Sequence, residues 1–143
     1  MNRARITARA LAVVITTAVA AAIWGVQALL GVGVRMPSYG VVAPLPLVAV
    51  VATALAGTLA GWGLLALLER FAPRRASAVW LVAAAVVFVL SLAGPLIMPG
   101  VGLGDRLWLV LLHVAVAGTF VSLVWRTLAA GREALPAPHG TRA

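Results

Sequence analysis

A chain of 143 residues that is 64% hydrophobic and only 10% charged lacks the charged shell, about a quarter of all residues, that a soluble domain of this size needs. Its formal charge of +8 comes from eleven arginines and no lysine, set at the ends of apolar runs rather than on one basic face. That pattern argues for a membrane and against nucleic acid as the partner, and the lack of cysteine excludes disulfides, thiolate catalysis and cysteine metal sites.

Residues 1–9 carry Arg3, Arg5 and Arg9 with no acid, and read as a basic N-terminal segment. Residues 10–30 contain no charge and, at about 1.5 Å per residue, cover the roughly 30 Å hydrocarbon core. A basic start followed by an apolar run is also how a signal peptide opens, but this run outlasts the usual core of about 7–15 residues. A retained first span is therefore expected. Within it Thr16, Thr17, Ala20, Trp24, Gln27 and Gly31 recur at helical spacing, a small and polar face suited to other helices rather than lipid. Gln27 is the strongest polar group on that face. It belongs either to the interface, reaching headgroups or water, or to a buried polar cluster.

Residues 31–44 have the Gly, Pro, Ser and Tyr content of a loop, with Arg35 its one charge and Tyr39 suited to the membrane interface. The second span is expected over residues 45–68, with Pro46 where a helix start tolerates proline. Gly57 and Gly61 form a G-x-x-x-G pair, extended by Thr53 and Ala60. Removing side chains there lets two backbones approach, which points to internal packing or to a contact between two copies.

The connection ERFAPRR follows, and the third span covers residues 78–98. Pro95 withholds the N–H that the Ser91 carbonyl would otherwise accept, so Ser91 offers a carbonyl as well as a hydroxyl near a kink. PGVGLGDR reads as a tight turn, and Asp105 as the cap of the fourth span, residues 107–128. A tail over residues 131–143, polar and Pro/Gly-containing, is expected to be disordered; His139 lies there without metal-binding neighbours.

With four crossings, Arg3, Arg5, Arg9, Arg70, Arg74, Arg75, Arg126, Arg132 and Arg142 fall on one side, and only Arg35 and Arg106 on the other. The positive-inside rule then makes both termini cytoplasmic. Ser91 and His113 fall at similar depth, roughly 10 Å below the outer surface, on antiparallel neighbours. Gln27 lies on the same outer half, so the three residues form a candidate polar pocket. Two roles stand beside each other: a hydrogen bond that locks two helices, and a ligand-binding or proton-handling site.

No catalytic constellation is completed. One histidine without a second ligand is no metal site, a serine without an oriented base is no triad, and GVGLG between two spans lacks the context of a nucleotide fingerprint. No repeat relates the two halves.

SLAGPL, a short turn and the helix LWLVLLHVAVAG with its single histidine, preceded by three further spans, resemble the small four-span actinobacterial membrane proteins of the DUF6069 family of unknown function. The resemblance covers most of the chain and is specific over Ser91 to His113. It implies the same topology, draws attention to Ser91 and His113, and supplies no activity or cofactor. The reading is thus an all-α, four-helix integral protein of the bacterial plasma membrane, with residues 10–130 as its membrane domain. It is expected to be a non-enzymatic structural or accessory protein without cofactor, whose partners are membrane lipid and a second copy or another membrane protein. The alternative is a carrier or sensor of a small lipophilic molecule held near Ser91 and His113.

Overall fold

Each apolar run folds as one long helix because, in hydrocarbon without water, a helix satisfies its backbone N–H and C=O groups within the segment. The computed structural model describes residues 3–32, 34–38 and 41–133. The helices are α1 (Arg3–Leu29), α2 (Leu47–Phe71), α3 (Ala76–Ile97) and α4 (Leu103–Glu133), all long and apolar enough to cross a membrane. The chain is a multi-pass membrane protein. Tyr39, His139 and Arg142 lie outside the described residues.

The helices outrun their apolar cores. α1 starts at Arg3, so the basic segment is helical and carries Arg9 into the bundle. α4 starts at Leu103 and continues to Glu133, which shortens the turn before it and places the first residues of the expected tail in helix. The region read as a loop contains a β-hairpin, with β1 (Arg35–Ser38) antiparallel to β2 (Val41–Pro44) and Arg35 opposite Pro44. Proline at 37 and 44 and valine at 41 and 42 disfavour helix here, and extended pairing satisfies backbone groups at the membrane surface.

α1 packs on α2 and α4, and α3 closes the ring against α2 and α4. Two buried clusters fill it. The first, towards the chain termini, draws Ala12 and Val13 from α1, Leu65 from α2, Trp80 from α3 and Phe120 and Val124 from α4. The second, towards the hairpin, joins Ala20, Val50 and Ala54, with Trp24, Leu45, Leu112 and Val116 around them; no α3 side chain takes part. Along α3 the side chains of Val82, Val86, Val87, Val89 and Leu90 are exposed, as a lipid-facing surface should be.

Gly61 sets the approach of α2 to α3 and α4. The Trp80 indole N–H donates to the Gly61 carbonyl at 2.8 Å, and a Cβ at Gly61 would stand 2.8 Å from Phe120 Cε1. The Trp80 and Phe120 rings are tilted by 60° with centroids 6.2 Å apart. Gly57 has open space around it. The glycine pair is therefore divided, with one member in the packing and the other on the surface.

Candidate functional site

The face of α1 marked by Thr16, Ala20 and Gln27 is buried, and it continues towards the N-terminus through Ala12 and Val13 to Arg9. Arg9 is only 1% exposed. Its guanidinium grips the Glu69 carboxylate of α2 with two bonds, Nη1 to Oε2 at 2.8 Å and Nη2 to Oε1 at 2.6 Å. Its Nε donates to Thr127 Oγ1 of α4 at 3.4 Å, and that hydroxyl donates to the Val124 carbonyl at 2.7 Å. Planar guanidinium against planar carboxylate is the strongest side-chain pairing available, and burial requires it, because an unpaired charge there is costly. A cavity of about 160 Å³ adjoins the pair, lined by Arg5, Arg9, Glu69, Ser77 and Thr127 among others.

No hydrogen bond among the described residues joins Ser91, His113 and Gln27, the three residues of the expected pocket. Ser91 is half-buried and its hydroxyl donates to the Phe88 carbonyl of its own helix at 2.7 Å. His113 is half-buried too, and its Nδ1 lies 2.7 Å from the Leu109 carbonyl, an acceptor that fixes the proton on Nδ1. Both side chains find backbone oxygens one turn away, the nearest acceptors a helix offers, and no hydrogen bond among the described residues joins them.

Gln27 stands elsewhere. It lines a cavity of about 240 Å³ with Trp24, Ala28, Gly31, Val34, Pro44 and Leu45, between the end of α1 and the chain on either side of the hairpin. Gly31, at φ 67°, ends α1 in a left-handed turn, with its N–H on the Ala28 carbonyl at 3.2 Å and that of Val32 on the Gln27 carbonyl at 3.1 Å. The Trp24 indole N–H donates to the Leu45 carbonyl at 2.8 Å. The Leu45 N–H donates to the Val34 carbonyl at 2.8 Å, which closes the base of the hairpin.

Asp105 is not the residue that caps α4. The helix begins at Leu103, which puts Asp105 in its first turn, where a carboxylate favours the positive end of the helix without occupying the cap. The residue that sequence reasoning passed over is its neighbour Arg106. Its guanidinium donates to the carbonyls of Leu96 and Met98, the latter at 3.0 Å, and its Nε to that of Val101 at 3.1 Å. The carbonyls at the end of a helix have no donor within it, and the arginine supplies both donors and charge to the negative end of α3.

Among the described residues no three His, Cys, Asp or Glu side chains gather as a metal site would require. No curated protein and no solved structure matches the chain. Residues 1–130 match the family of unknown function DUF6069, and with nearly its whole length covered the chain belongs to that family.

Proposed function

We propose that this protein acts as a non-enzymatic structural or accessory element of a bacterial plasma membrane, with its termini cytoplasmic and its arginine-rich end turned to a partner. The observation that carries this reading is the Arg9–Glu69–Thr127 node, which joins three helices directly beneath exposed Arg3, Arg5, Arg70, Arg74, Arg75 and Arg126. The node removes the buried arginine from chemistry and fixes the helix ends from which the exposed ones project. Several arginines held on one rigid end suit an acidic surface, either anionic headgroups or the acidic loop of another membrane protein. His113 and Arg106, the other ionisable groups bonded within the described spans, are committed to backbone carbonyls, which also favours a structural part.

The test is a photo-crosslinking residue placed at Arg74 in intact cells. A discrete protein adduct, lost when Arg70 and Arg75 are changed to glutamate, is the expected result; adducts to lipid alone would reject the accessory role. A reporter fused after Arg142 should be active on the cytoplasmic side. In the second reading, a carrier or sensor of a small lipophilic molecule, Ser91 and His113 would bind with the groups left over from their bonds to Phe88 and Leu109.

A further inference from the structure

The cavity at the hairpin end has one side-chain amide in its wall. Gln27 is 3% exposed, and its side-chain amide makes no hydrogen bond with any described residue, although its own backbone carbonyl is taken by Val32. An amide has two N–H donors and an oxygen acceptor, and those of Gln27 stay accessible from the cavity; the sealed polar atom without a partner among the described residues is Thr16 Oγ1. The partner of the Gln27 amide must therefore come from whatever occupies the space it lines. That space, about 240 Å³, is larger than the roughly 150 Å³ cavity that admits a benzene ring.

The remaining walls define the chemistry. The lining beside Gln27 is Trp24, Ala28, Gly31, Val34, Pro44 and Leu45, and among the described residues no charged side chain contributes. Ions and zwitterions find nothing there to balance them. The Trp24 indole is pinned by its bond to the Leu45 carbonyl, so its ring is a fixed apolar wall rather than a mobile plug. Leu45 and Val34 are bonded to one another across the foot of the hairpin, so two further walls are held by backbone. Gly31 keeps the opening beside α1 free of a side chain, at a left-handed φ that other residues rarely adopt.

We propose that this cavity is a binding site for a small, uncharged, single-ring compound bearing one hydroxyl or carbonyl group. The ring lies in the apolar space beside Trp24, and the polar group exchanges hydrogen bonds with the Gln27 amide. This site is independent of Ser91 and His113 and of the arginine-rich end.

The experiment uses the full chain in lipid nanodiscs with two probes, 4-fluorophenol and fluorobenzene, followed by fluorine NMR against empty nanodiscs. Wild type is expected to bind 4-fluorophenol saturably, and more tightly than fluorobenzene. Gln27→Leu, which keeps the bulk and removes the hydrogen bonds, should weaken 4-fluorophenol about tenfold, equivalent to roughly 1.4 kcal/mol, and narrow the difference between the probes. Ala28→Phe, which fills the space without touching the amide, should abolish saturable binding of both. Uptake equal in wild type and both variants means partition into lipid and overturns the proposal. So does the absence of saturable uptake by wild type, which would leave water as the partner of Gln27.

Discussion

The two ends of this bundle are built on opposite terms. At the terminal end all four helices contribute to one buried cluster, and Arg9, Glu69 and Thr127 bond one another across three of them. At the hairpin end the cluster has no member from α3, the polar residue is unmatched, and a larger cavity remains. Satisfied polar groups and close aromatic packing hold one end to a single arrangement, whereas spare volume beside an unmatched amide leaves the other able to take up a guest. In a chain so poor in charge, the placing of a few polar side chains decides which end is rigid.

The largest expected effect lies in breaking the rigid end. Arg9→Ala leaves the Glu69 carboxylate without its partner and should destabilise the fold by about 3 kcal/mol, read as a lower midpoint of thermal unfolding in detergent. The double variant Arg9→Met with Glu69→Leu should recover most of that loss, because both charges leave together. A loss in the double variant as large as in the single one would mean that the pair's shape, not its charge balance, holds the helices.

Next in size is the contrast between the two glycines. Gly61→Leu forces Phe120 and Trp80 apart and should cost about 1–3 kcal/mol. Gly57→Leu, in open space, should be neutral or slightly stabilising in the same melt, since glycine is a poor helix former. A marked change of apparent mass in Gly57→Leu would instead reveal a contact between copies at that face.

At the hairpin end, Arg106→Ala should release the last turn of α3 with only a small fall in overall stability, about 1 kcal/mol, visible as faster amide exchange from Leu96 to Val101. The smallest effects are expected at Ser91→Ala and His113→Ala. Each removes a bond to the side chain's own helix, and neither should move the melting midpoint by more than about 0.5 kcal/mol in equivalent terms. A large loss at His113 would show that it does more than bond to Leu109.

The spans were legible because each is a long run without charge, and the buried face of α1 was legible from the spacing of Thr16, Ala20 and Gln27. That spacing leads back to Arg9, but a charge next to an apolar run reads as its boundary. Its partner lies 60 positions away and leaves no local trace. The hairpin was obscured by residues that also compose loops. Ser91 and His113 stood out as polar residues in apolar sequence, yet sequence offers no means of seeing that a carbonyl in the same helix already holds each of them. Trp80, near the start of the third apolar run, is a core residue, 1% exposed, which its place at the edge of a span does not reveal.

The Arg9 node also carries an order of events. The guanidinium of α1 meets a carboxylate that belongs to α2 and a hydroxyl 118 positions away in α4. During synthesis the first helix is made before the carboxylate that its guanidinium grips in the finished fold, and the second helix delivers Glu69. The last helix, by bringing Thr127, seals the arrangement. The most tightly bonded end of the molecule is in this sense the last to be completed, and a chain that stops short of α4 leaves its first turns unfinished.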